Sequence, residues 1–132
     1  MSRAYDPWAH AHDLGVEVTE GRLPRGWRGC YDHSRFRITL VRGMSHREAR
    51  STLAHEVQHA IAGDIASPWG LITQRQELLA TRRSALMLID PAEYAEAERL
   101  RGGYLAGIAH ELDVTAAVVL AWREIHRMAV AS

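Results

Sequence analysis

Two histidines four residues apart, His55 and His59, enclose a glutamate in the run Ser51-Thr-Leu-Ala-His55-Glu56-Val-Gln-His59-Ala. On an α-helix that spacing stacks both imidazoles on one face, one turn apart, where they can grip a single metal ion. Glu56 stands beside that position, so its carboxylate can take a proton from a water held there. An H-E-x-x-H segment of this kind points to a zinc hydrolase, and first of all to a peptidase.

The residues around the motif supply the helix it needs. Ser45-His-Arg-Glu48 is a capping box, with the Ser45 hydroxyl on an early amide and Glu48 reaching back. Leu53, Val57 and Ile61 form an apolar stripe at helical spacing, and Gly63 supplies a stop. The expected motif helix therefore covers 46–62.

A catalytic zinc takes three protein ligands and leaves a fourth position to water, so a third donor must come from elsewhere. Thr73-Gln-Arg-Gln76 is a second capping box and opens a helix over 74–88, with Glu77 in its first turn. The intervening loop is long enough to bring that helix back across the first. Glu77 could then complete a His2Glu set and leave Glu56 free as the base. A first-turn acid is also favoured by the helix dipole alone. Asp64 is the rival ligand, although a cap on the motif helix, or an acceptor for a ligand histidine, is the reading favoured for it. Spacing leaves these alternatives open.

The rest of the chain divides simply. Residues 1–44 read as strands and turns. Leu14 to Thr19 is one strand candidate, Gly21 to Gly29 is loop, and Tyr31-Asp-His-Ser34 is a hairpin turn. Arg35 to Val41 alternates, with Phe36, Ile38 and Leu40 on one face. C-terminal helices fill 91–130, starting at Asp90-Pro91 and interrupted at Gly102-Gly103. The expectation is a single α+β domain over 1–132, with a small antiparallel sheet followed by about five helices.

Composition narrows the function classes. The chain has 132 residues and zero formal net charge, so no global field gathers nucleic acid or an acidic membrane. Cys30 is the single cysteine, which excludes an internal disulfide and suits a reducing, cytoplasmic setting. No apolar leader or membrane span is expected. Ala106 to Trp122 has a helix-turn-helix cadence, yet Ala116, Ala117, Val118 and Val119 offer nothing to read base edges. DNA binding is therefore not expected, and the segment reads as an αα-hairpin with Trp122 as a packing residue. A zinc-stabilised interaction module without turnover is the alternative, but closed structural sites favour several thiolates.

Arg50 through Asp64 resembles the zinc helix of the ImmA/IrrE family of metallo-endopeptidases, especially its short phage-borne members. Glu77-Leu-Leu-Ala80, continuing through Ser84-Ala85 to Leu88-Ile89-Asp90-Pro91, is similar to the segment that follows in that family. Ile108 to Thr115 resembles its closing helix pair, so the likeness covers roughly residues 30 to 125. It implies a minimal zincin-like metalloprotease, with Zn2+ on His55, His59 and Glu77 and with Glu56 as general base. It also implies a protein or peptide substrate, such as a phage or mobile-element repressor. Val57-Gln58 departs from the Leu-Gly pair common there, and the chain has no room for the sensory or DNA-binding domains that many relatives carry.

Two roles stay open at this level. An extended peptide could pair with a strand near the metal, for which Arg35–Val41 is the candidate. Stabilising a tetrahedral intermediate usually needs another donor. Tyr31, His33, His46, Tyr104 and His110 are all available, and the sequence does not choose among them.

Overall fold

Asp6-Pro7 opens the first element of the computed structural model, which describes residues 4–66 and 72–131. The Asp6 carboxylate accepts from the Trp8 and Ala9 amides, Pro7 occupies the first helical position, and α1 runs over Pro7–Asp13. This helix lies in the stretch expected to hold only strands and turns. Its signal is the Asp-Pro cap, the same kind that starts the helix after Asp90.

Three strands follow: β1 (Glu17–Gly21), β2 (Gly29–Asp32) and β3 (Arg37–Val41), in the order β1-β3-β2. β1 runs parallel to β3, whereas β2 is antiparallel to it. The sheet is thus mixed, not antiparallel throughout. The strand expected to offer an edge, β3, is the central one. β1 also starts later than Leu14, because Gly15 at φ 75° turns the chain out of α1. The β2–β3 turn falls later than expected. It places Phe36 at φ 48°, exposed and against the His33 ring, so only Ile38 and Leu40 of the predicted face are buried.

Five helices complete this α+β fold: α2 (His46–Ala62), α3 (Gln74–Leu88), α4 (Pro91–Arg101), α5 (Leu105–Leu112) and α6 (Ala116–Ala131). Both capping boxes read from the sequence form, at Ser45–Glu48 and Thr73–Gln76. Among the described residues no single helix is long and apolar enough to cross a membrane.

α2 is wedged between two cores. Leu53 and Val57 pack under the sheet with Ala11, Tyr31, Ile38 and Leu40. Ala54, one position round, joins Ala85, Leu88, Ile108, Val119 and Trp122 from the helices. Ile61 leaves the expected stripe and is half exposed, because successive i+4 steps drift by about 40° around a helix of 3.6 residues per turn. The α5–α6 corner, where Asp113 adopts φ 54°, is clamped to α2. The buried Arg50 guanidinium donates to the carbonyls of Leu112, Asp113 and Tyr5, and the Thr115 amide donates to Ser51 Oγ. Trp122 is buried and stacks between Tyr94 and His126.

Candidate metal centre

α2 carries His55 and His59 one turn apart, and α3 packs along it with Glu77 in its first turn. The three side chains converge. His55 Nε2 lies 3.2 Å from His59 Nε2, Glu77 Oε1 lies 2.7 Å from His59 Nε2, and Glu77 Oε2 lies 3.1 Å from His55 Nε2. Two ligand atoms on a tetrahedral zinc with bonds near 2.0–2.1 Å stand about 3.3 Å apart, so the cluster is close to the dimensions such an ion needs. Among the described residues these three form a group that could hold a metal ion.

Hydrogen bonding fixes what each atom can do. His59 Nδ1 is 2.8 Å from Asp64 Oδ2, and an ionised carboxylate can only accept, so Nδ1 carries the proton. In the neutral ring His59 Nε2 then presents a lone pair toward the cluster. It faces a second imidazole nitrogen and a carboxylate oxygen, and such a gathering needs a positive centre, whether a proton or a metal ion. His59 is 1% exposed, while the Glu77 side chain that meets it is half exposed. Asp64 thus lies behind His59, on the ring nitrogen that faces away from Glu77, and fixes the orientation of the imidazole. It is held in turn by Gln76, whose Nε2 donates to Asp64 Oδ1 at 3.1 Å while its Oε1 accepts from the Thr73 amide. One side chain both caps α3 and supports the histidine.

The charges around the centre are coupled. Burial opposes protonation of His55, but its hydrogen bond to Glu77 and the nearby charges of Glu56 and Glu77 outweigh burial and raise its pKa. The same hydrogen bond lowers the Glu77 carboxyl against a smaller opposing effect of burial. Glu56 is 8% exposed, and burial pushes its pKa up; His55, His59 and the Tyr31 backbone amide pull the other way. A carboxylate with a raised pKa is a better proton acceptor near neutral pH than an exposed one.

β2 supplies the floor of the cleft. The Val41 amide donates to the Arg28 carbonyl at 2.8 Å, so Arg28, Cys30 and Asp32 direct their backbone groups at β3. Gly29 and Tyr31 direct theirs at the outer edge, which no described strand covers. Two cavities meet at Gly29 and Glu56. One, about 300 Å3, also touches Trp27, Cys30, Tyr31, His59 and Glu77. The other, about 270 Å3, runs from His55 toward Arg28 and the start of α6.

Of the five donors left open by the sequence, Tyr31 alone lines a cavity at the centre, and its hydroxyl is bonded to His33 Nδ1 at 2.8 Å. His46 pairs with Asp113 and stacks on Trp8, His110 meets Arg47, and Tyr104 is exposed at the head of α5. Sequence reasoning missed Gly29 and assigned Gln76 a capping role only. The signal for Gln76 was its place three residues after Thr73; nothing local marks Gly29.

Neither a scan against protein-family models nor a search of curated proteins finds a match to this chain.

Proposed function

We propose that this protein is a zinc-dependent endopeptidase, with the ion on His55, His59 and Glu77 and with Glu56 as the general base. The observation that carries this reading is the convergence of two imidazole nitrogens and a carboxylate within 3.2 Å of one another, beside a second carboxylate, Glu56, that is buried. Zinc in such a setting supplies Lewis acidity, polarising a carbonyl and acidifying a water. The donor set of two imidazoles and one carboxylate suits it.

The chain's own residues then divide the work. Asp64 holds the His59 ring in the tautomer that leaves Nε2 free. Glu56 takes a proton from the attacking water and returns it to the departing amine. The outer edge of β2 offers the Gly29 backbone groups and the Tyr31 carbonyl to an extended peptide, while the Tyr31 amide is held by Glu56. A regulatory protein such as a phage repressor remains the expected class of target, by the likeness to ImmA/IrrE endopeptidases.

The test joins metal content to cleavage of a peptide library. Wild type should carry one zinc per chain and cut. Glu56→Gln should keep the zinc and lose roughly 100- to 10,000-fold in rate, as removal of a general base does. Undiminished cleavage by Glu56→Gln would sink the assignment of the base, and absence of zinc uptake would sink the metal centre.

A further inference from the structure

The cavity on the Arg28 side of Glu56 shares His55 with the metal centre and extends away from it toward Arg28 and α6. Its walls come from α2 (Ser51, Thr52, His55, Glu56), α3 (Thr81, Ser84) and the first turn of α6. Ser51, Thr52, Thr81 and Ser84 bring hydroxyls to it beside the apolar Ala117 and Val118, and Ser84 Oγ donates to the Thr81 carbonyl at 3.0 Å. Thr52 Oγ1 lies 3.8 Å from Met44 Sδ, a weak acceptor. Arg28 stands at the mouth, 60% exposed, and is tied only loosely to Glu48 at 3.6 Å. An exposed pair of that length holds its guanidinium weakly, so Arg28 is free to turn inward. The positive end of α6 faces the same space. At about 270 Å3 the cavity holds roughly nine waters' share of liquid volume, enough for a side chain and its hydration.

We propose that this cavity is a side-chain subsite for an acidic residue, Asp or Glu, adjoining the scissile bond, with Arg28 as the specificity-determining residue. The inference rests on the endopeptidase reading and deepens it. A carboxylate entering here meets a guanidinium that can bind it bidentately and hydroxyls that can donate to it. An amide of the same shape gains the hydroxyls but not the charge.

The test is binding, not turnover. Zinc-loaded protein is titrated with peptide hydroxamates that differ only in Asp against Asn beside the chelating group, made in both chain directions. Acetohydroxamate serves as the probe of the metal alone. The expected result is a preference for Asp of about tenfold in one direction, the size of one charge-assisted hydrogen bond. In Arg28→Ala the ratio should fall to about one, and in Arg28→Glu it should invert. Equal affinities for the Asp and Asn ligands in wild type, with acetohydroxamate bound, would overturn the subsite and leave the metal centre standing. Failure of acetohydroxamate itself to bind would overturn the metal centre, and the subsite with it.

Discussion

Gly29 and Glu56 meet without room for a methyl group between them: a Cβ built on Gly29 would stand 3.2 Å from Glu56 Cγ and 2.7 Å from Thr52 Cγ2. The edge strand β2 approaches α2 this closely because residue 29 has no side chain. Gly29→Ala should therefore push β2 away from α2, costing about 1–3 kcal/mol by overpacking. It should also displace Glu56 from the cleft. Urea denaturation gives the stability term, and hydroxamate affinity reports the cleft. A variant as stable as wild type with unaltered affinity would show that the two elements can slide apart freely.

The proposed ligands and the carboxylate behind them should not respond alike to substitution. His59→Ala and Glu77→Ala should each lose the zinc outright under dialysis. Asp64→Ala should retain it, weakened about 10- to 100-fold, because Asp64 only orients His59. Elemental analysis followed by competition with a chromophoric chelator separates the two patterns. Equal loss from Asp64→Ala and Glu77→Ala would place Asp64 among the ligands.

Metal should also tie α2 to α3. Its ligands come from both helices, so a chelator should lower the melting temperature. Zinc at a hundredfold excess over its Kd should add about 2.7 kcal/mol. Calorimetry with and without chelator measures this directly, and no difference would mean that the ion adds nothing to the packing of α2 on α3.

Much of this arrangement is legible in the sequence, and the boundary of legibility has a physical cause. The capping boxes at Ser45 and Thr73 are local, so α2 and α3 start where those residues stand. The His55–His59 spacing is local too. Glu77 reaches them only through the packing of α3 on α2, which spacing permits and cannot impose. The sheet was less readable. Gly29 sits among Gly, Pro and Arg residues that resemble a loop, and its reason for being glycine lies across the fold, in Thr52 and Glu56. Strand order is likewise a tertiary property: the alternation in Arg37–Val41 predicts a half-buried strand and says nothing about which neighbours flank it.

Arg50 should be the costliest single loss outside the centre. It is 5% exposed and serves three carbonyls on two segments. Arg50→Met should destabilise the protein by about 3 kcal/mol through the acceptors it strands. Arg50→Lys should rescue little, since one ammonium cannot reproduce the planar fork. Chemical denaturation of both variants measures this, and a fully stable Arg50→Lys would mean that charge alone holds the α5–α6 corner.

Cys30 should alkylate slowly. Burial raises its pKa first, and the negative charges of Glu56 and Asp32 raise it further. Only the thiolate reacts, so at neutral pH metal-free protein should lag behind a free cysteine and catch up as pH rises. Removing one of the two charges in Glu56→Gln should lower the pKa and speed labelling by iodoacetamide. Labelling at the rate of free cysteine at pH 7 would contradict the raised pKa.

Gln76 restricts the alphabet in a way its position alone does not suggest. The third helical residue of a capping box accepts glutamate or glutamine with similar ease. Here the far end of that side chain must donate to Asp64, and a glutamate would set two carboxylates against each other instead. A swap that is synonymous for the helix is thus a misspelling for the histidine beyond it. Homologous chains that keep Asp64 should write glutamine at this position, and those that write glutamate should have replaced Asp64 with a residue such as asparagine that can donate to the glutamate and still accept from His59.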